Sequence, residues 1–299
     1  MDVIGSLVGF DPFAAAEQDA GRAYLVLDVF SEVPLQGNQL AVFTDGRGID
    51  GAGMQALARE VKLSETVFML PPEGEGDARV RIFTPAVELP FAGHPVLGSA
   101  AVLAGALGQP QVVLETGSGP VTVGFEQHGG RTANGWMRQP LPSWEPFGAP
   151  VELLAALGLE RSGLPVELYC NGPRHVYVEL ASPEAVAALE PDMAALGRLG
   201  ELGVSCFAGG SGRFKSRMFA PGLGVAEDPA TGSAAGPLAV HLARHGRIAF
   251  GQEIEIAQGV EILRPSLLRA RAFGSPAALE RVEVGGSAVI VAAGRFWPA

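Results

Sequence analysis

The apolar positions of this chain fall mostly in short runs with strand character, broken by a few stretches with helical spacing. "YLVLDVF" (Tyr24–Phe30) and "QLAVFT" (Gln39–Thr44) predict strands joined by a turn through Pro34 and Gly37. In "GAGMQALAREV" (Gly51–Val61) the apolar residues Met54, Leu57, Ala58 and Val61 recur at helical intervals. "TVFML" (Thr66–Leu70) and "ARVRIFT" (Ala78–Thr84) return to strand spacing. "HPVLGSAAVLAGALG" (His94–Gly108) is apolar on nearly every side and rich in small residues, which predicts a buried helix with Pro95 at its first position and Gly108 as its stop. Such a helix needs a wrapper. "QVVLET" (Gln111–Thr116), "PVTVGFE" (Pro120–Glu126) and the strands before them can curl round it.

The second half follows the same plan. "VELYC" (Val166–Cys170), "HVYVEL" (His175–Leu180), "VSCFAG" (Val204–Gly209) and "RFKSRMFA" (Arg213–Ala220) read as strands, with a helix expected over Pro183–Leu199. "DPATGSAAGPLAVHLARHG" (Asp228–Gly246) is a second small-residue helix, and "EIEIAQ" (Glu253–Gln258) and "RVEVGGSAVIVAAGRF" (Arg281–Phe296) close the chain as strands. Gly129–Gly135 reads as the linker between halves. "RIFTP" (Arg81–Pro85) precedes the first buried helix as "RMFAP" (Arg217–Pro221) precedes the second. Aligning "GHPVLGSAA" on "EDPATGSAA" sets His94 over Asp228 and Pro95 over Pro229. Two matches in the same order predict an internal duplication.

The duplication changes what the charge means. A net charge of -11, with Lys62 and Lys215 the only lysines, argues against a nucleic-acid partner. It still allows a small anionic ligand. Two helix starts, each with exposed N–H groups and about half a positive charge, can hold a carboxylate without any Lys or Arg, and Gly93, Gly98 and Gly232 let the backbone approach it. Duplicated halves packed with pseudo-twofold symmetry would face both helix starts into a cleft. Cys170 and Cys206, the only cysteines, have no metal spacing and suit a reducing cytoplasm. The first Arg is Arg22, so a basic signal-peptide start is lacking, and no apolar run reaches the ~18 residues of a membrane span.

Three residues carry the candidate chemistry. His94 and Asp228 are expected at the N-caps of the two buried helices, where an Asp can be merely a cap. The exchange of His for Asp at matching positions gives a symmetric scaffold two different proton affinities. Glu65, in "KLSETVFML" (Lys62–Leu70), opens an apolar strand, where partial desolvation would favour its acid form and suit acid/base work; a surface Glu at a strand edge is the plain alternative. His241 and His245 stand four apart, but no third metal ligand is evident and a solvated helix end is expected. A P-loop and a Gly-x-Ser-x-Gly elbow are both missing.

The set "DVFSEVPLQGNQLAVF", "LSETVF", "FTPAVELPFAGHPVLGSA" and "EDPATGSAAGPLA" resembles the PhzF family, the phenazine-biosynthesis-like isomerases, in the same order from about Tyr24 to the C-terminus. The resemblance implies an α+β fold of the diaminopimelate-epimerase type: two pseudo-symmetric domains, each a curved, mostly antiparallel sheet or barrel around a central helix. Residues 1–22 are then an extension, 23–129 with 288–299 one epimerase-like domain, and 130–287 the other. It further implies an isomerase needing neither cofactor nor metal, which moves a proton on a small carboxylate-bearing substrate such as a dihydro-hydroxyanthranilate. By motif, Glu65 moves the proton, His94 and Asp228 assist, and Gly93, Gly232 and Ser233 bind substrate. Family habit adds a cytoplasmic homodimer. The helix-start motifs hold no Cys, which disfavours two-thiol racemisation, and Gln39 stands where the family usually shows Pro. The rival readings are a non-catalytic binding protein on the same scaffold and an amino-acid epimerase.

Overall fold

A computed structural model describes residues 21–127 and 131–297. The extension expected at 1–22 therefore lies, up to residue 20, outside the described residues. The chain folds as two compact units: one runs to Arg138 and resumes at Gly285, and the other is Gln139–Val284.

In the first unit β1 (Arg22–Val29) and β2 (Asn38–Phe43) form an antiparallel pair. Helix α1 (Gly51–Val61) then crosses back so that β3 (Glu65–Leu70) lies parallel to β2, as a parallel pair requires. Asp50 caps α1 by accepting from the Gly53 N–H at 2.7 Å, and Lys62 closes it in a left-handed conformation. Next come β4 (Ala78–Phe83), antiparallel to β3, and the short β5 (Glu88–Leu89), antiparallel to β4. After helix α2 (Gly93–Leu107), β6 (Gln111–Thr116) pairs parallel to β4, followed by β7 (Gly119–Gln127) and β8 (Thr132–Gln139).

The second unit repeats this order of pairings. β9 (Ser143–Pro146), α3 (Pro150–Ala156), β10 (Glu167–Cys170) and β11 (Arg174–Glu179) come first, with β10 antiparallel to β9 and β11. Helices α4 (Pro183–Ala187) and α5 (Met193–Gly197) cross back to β12 (Gly203–Gly210), which is parallel to β11. β13 (Arg213–Ala220) is antiparallel to β12, and β14 (Val225–Asp228) is antiparallel to β13. After helix α6 (Gly232–Arg244), β15 (Ile254–Gln258) lies parallel to β13, with β16 (Ser266–Ser275) beside it. Strand for strand, β2, β3, β4, β5 and β6 answer to β11, β12, β13, β14 and β15, and α2 answers to α6. The last strand, β17 (Ala278–Phe296), pairs antiparallel with β1 through Arg22↔Phe296 to Val29↔Ala288.

Each central helix is sealed in. Every residue of α2 from Gly93 to Ala104 is buried, packed on β1, β2, β3, β6 and β7. Every residue of α6 from Gly232 to Ala243 is buried too. Small residues let the strands come close. A Cβ at Gly98 would stand 2.6 Å from Leu40 Cδ2 and 2.9 Å from Val29 Cγ2. Outside the first sheet, Met54, Leu57 and Ala58 of α1 pack on Phe43, Phe68 and Phe83. Burying each large apolar side chain contributes about 1.5–3 kcal/mol.

Four expectations differ. The helix expected over Pro183–Leu199 is two short ones, because Pro191 offers no N–H and Asp192 caps a new helix by accepting from the Ala195 N–H at 2.9 Å. The linker expected at Gly129–Gly135 is in part strand, since β8 begins at Thr132. His94 and Asp228 are not N-caps: Ala92 and Thr231 hold those places, so Pro95 is the third helical residue rather than the first. Asp228 is kept in β14 by its pairing with Met218, which delays α6 to Gly232. His241 is fully buried rather than solvated.

Candidate active site

Parallel strands start at the same end of a sheet. In the first unit β2 and β3 therefore bring Asn38 and Glu65 to one end, with Leu40 directly opposite Glu65. The first turn of α2 delivers His94 to that end. Asn38 Nδ2 lies 3.3 Å from His94 Nδ1, and His94 Nε2 lies 3.2 Å from Glu65 Oε2. The last contact has ion-pair distance without an aligned hydrogen bond. The two side chains keep only 6% and 17% of their exposure. Burial drives the His94 pKa down from 6.5 to about 3, against a weaker opposing hydrogen bond with the Gln39 backbone. Near neutral pH Glu65 thus faces a neutral imidazole, not a cation. Such an imidazole can hand over or steer a proton without pinning the carboxylate in its charged form.

The corresponding place in the second unit is built differently. Asp228 ends β14 and its Oδ2 accepts from Thr231 Oγ1 at 2.6 Å. Gln258 Nε2 donates to the Asp228 carbonyl at 2.8 Å and to Thr231 Oγ1 at 3.0 Å. Thr231, the N-cap, thus spends its hydroxyl on these neighbours, and no side chain caps α6. Ser233 in the first turn has its Oγ 3.0 Å from His175 Nε2. Pro237 sits inside α6 and lacks the N–H that would normally reach the Ser233 carbonyl. Asn171 Nδ2 supplies that bond at 3.0 Å. Gln139 Nε2 donates to the Gly232 carbonyl at 2.9 Å and Tyr177 Oη to the Ala234 carbonyl at 2.7 Å. Gly236 makes room for Gln139, whose Oε1 would collide with any Cβ there.

At the far end of α6, His241 Nδ1, Arg244 Nη1 and His245 Nε2 reach one atom, Glu167 Oε2, at 3.2, 2.7 and 3.0 Å. Burial alone would raise the Glu167 pKa, but these bonds outweigh it and hold the carboxyl well below its usual range. Among the described residues only Glu167, His241 and His245 group metal-type donors, within 4.8 Å of one another. Arg244 already neutralises that carboxylate and stacks over Trp144 at 4.2 Å, so the cluster is a closed network in which a metal would have to displace a guanidinium.

All six residues singled out in the sequence sit at these two helix starts: Glu65, Gly93 and His94 in the first unit, and Asp228, Gly232 and Ser233 in the second. Sequence reasoning missed Asn38, Gln139, Asn171, His175, Tyr177 and Gln258. One of them had a signal. A proline inside a buried helix demands an outside donor, and Asn171 is that donor.

Comparison with known proteins decides the relationship. The family described as phenazine biosynthesis-like protein (PhzC-PhzF) matches residues 27–294. The chain belongs to this family. Among its phenazine biosynthesis-like relatives, trans-2,3-dihydro-3-hydroxyanthranilate isomerase of Pseudomonas aeruginosa is 53% identical, over 92% of this chain and 99% of that protein. The enzyme of the same name from Pseudomonas chlororaphis is 52% identical over 89% and 96%. Among solved structures, a predicted epimerase from Pseudomonas aeruginosa aligns with a TM-score of 0.78 at 33% identity, covering 93% of this chain and all 100% of that one. A hydroxyproline epimerase from Agrobacterium vitis shares the fold alone, with a TM-score of 0.64 at 14% identity over 92% and 90%. The epimerase-like α+β fold is thereby established, and the phenazine biosynthesis-like chain is an enzyme of the isomerase class.

Proposed function

We propose that this enzyme isomerises trans-2,3-dihydro-3-hydroxyanthranilate, or a close carboxylate-bearing relative, by moving a proton with Glu65. The observation that carries the reading is the buried Glu65–His94 pair at 3.2 Å, in a chain 53% identical to an isomerase of that name. The Glu65 carboxylate takes a proton from an sp3 ring carbon. The electron pair moves along the ring's double bonds, and the Glu65 acid returns the proton to another carbon, so composition is unchanged. The step as written uses neither a cofactor nor a metal. His94, neutral, orients the substrate beside Glu65, and Gly93 lets the backbone come near. Asp228, Gly232 and Ser233 take hold of the substrate's amine and carboxylate. That assignment is supported by the uncapped first turn of α6, whose N–H groups suit an anion.

Glu65→Gln tests this directly. It should keep the fold and lower turnover roughly 10³-fold, within the usual worth of a general acid/base. In D2O the native enzyme should place deuterium at the receiving carbon to the extent that the Glu65 acid exchanges with solvent before it returns the proton. Full activity of Glu65→Gln on the converted substrate would sink the proposal. We read the working form as a cytoplasmic homodimer, supported by the free thiols Cys170 and Cys206 and by apolar side chains left outside at Val260, Leu263 and Leu267. Light scattering at micromolar concentration checks the mass.

A further inference from the structure

His175 belongs to no part of the proposed chemistry, yet it is buried to 4% exposure directly beneath a residue that does. It stands on β11 two residues from Tyr177, so both side chains face the same side of the strand, under the first turn of α6. Its Nε2 lies 3.0 Å from Ser233 Oγ. Its Nδ1 is buried and meets no hydrogen-bond partner. Space explains that: a Cβ on Gly203, opposite His175 in the parallel β11–β12 pair, would come 2.7 Å from Nδ1.

The orphaned atom selects the tautomer. Burial lowers the His175 pKa from 6.5 to about 4, so the ring is neutral near pH 7 and carries one proton. If that proton sat on Nδ1, a buried N–H would have no acceptor, an arrangement that folded proteins rarely tolerate. If it sits on Nε2, only a lone pair goes unused, and the N–H is bonded to Ser233 Oγ. A serine hydroxyl has one proton to give. Receiving from His175 satisfies the oxygen and leaves that proton for something else.

We propose that His175 is a positioning residue: by donating from Nε2 to Ser233 Oγ, it commits the Ser233 hydroxyl to donate to the substrate carboxylate. This rests on Ser233 being a substrate-binding residue, as assigned above. The carboxylate then receives the Ser233 O–H together with the N–H groups of the uncapped helix start. Asn171, Gln139 and Tyr177 brace the same turn through its carbonyls and so keep the hydroxyl in place.

The tautomer can be read without any ligand. In protein labelled with 15N-histidine, long-range 15N–1H correlation at neutral pH should show His175 with a protonated Nε2 and a bare Nδ1. A protonated Nδ1 overturns the proposal. Binding of anthranilate, which carries the ring, amine and carboxylate, is then measured by calorimetry. Ser233→Ala and His175→Phe should each weaken it about tenfold, and the double variant should be no weaker than either single one, because both remove the same bond. His175→Gln, which keeps a donor, should bind within about threefold of the native protein. In turnover, His175→Phe should raise KM and leave kcat nearly unchanged. Additive losses in the double variant overturn the proposal. So does a native-like Kd for folded His175→Phe while Ser233→Ala is weakened. If Ser233→Ala itself binds normally, the assignment of Ser233 fails and the proposal falls with it. Should His175→Phe not fold, the tautomer and His175→Gln still decide.

Discussion

The starts of α2 and α6 follow matching strand orders and a shared Gly-Ser-Ala-Ala motif, but they commit their side chains differently. At α2 an acid and a neutral imidazole face each other at 3.2 Å. At α6 the residue matched to His94, Asp228, already accepts a 2.6 Å bond from Thr231, inside a network that continues through Gln258. Next to it, Ser233, His175, Asn171, Gln139 and Tyr177 interlock. Duplication gave both units the same strand order and helix placement, because those follow from apolar burial. It left the polar residues at the helix starts to diverge. Under the proposed mechanism one start exchanges protons, and the other holds a shape into which the ligand fits.

The contrast is sharpest in turnover. Glu65→Gln should cost roughly 10³-fold in kcat/KM with little change in melting temperature, whereas Asp228→Asn, an equally small change, should cost only about tenfold. Asp228→Asn should also lose about 1 kcal/mol of stability, since the Thr231 hydroxyl loses a charged acceptor. Equal kinetic losses in the two variants would erase the distinction.

Acid comes next in size. Both His94 and His175 have native pKa values, about 3 and about 4, below the 6.5 of the unfolded chain. The unfolded state therefore binds more protons as pH falls, and stability drops below about pH 6.5 by up to about 1.4 kcal/mol per pH unit for each histidine. The His175 contribution levels off near pH 4, while that of His94 continues toward pH 3. Urea midpoints from pH 7 to pH 3.5 should show this slope. His94→Asn should flatten it down to the lowest pH, and His175→Gln only above about pH 4. A flat profile in the native protein would contradict the burial of both rings.

The smallest effect probes the brace on α6. Asn171→Ala should destabilise by about 1–2 kcal/mol by orphaning the Ser233 carbonyl. Pro237→Ala restores the helical N–H, so in that background Asn171→Ala should cost clearly less. An unchanged cost would mean that Asn171 acts through packing rather than through that bond.

What could be read from the sequence follows the same division. Helix α1 was legible to its end residues because its apolar spacing is local. Strands β6 and β13 were legible for the same reason. Glu65 stood out as a charge opening an apolar strand, and His94 as the residue set over Asp228 in the repeated motif. Asn38 and His175 did not stand out, because their partners lie 56 and 58 residues away and only the folded sheets bring them together. Asp228 misled for a physical reason: Asp-Pro is a strong helix-start signal, and pairing with β13 overrides it. Pro191 is a visible breaker inside Pro183–Leu199 that an expectation of one continuous helix passes over.

Strand β17 has a consequence for how this protein is made. β1, which begins at Arg22, pairs early with β2 on one side but finds its second antiparallel partner only at Ala288–Phe296. On the ribosome the first unit must therefore wait, with one edge of β1 exposed, until almost the entire chain has been synthesised. Contacts so distant in sequence close slowly, and an open apolar edge invites aggregation in the meantime. The second unit, whose residues are contiguous from Gln139 to Val284, has no such delay, so the part of the chain made first is completed last.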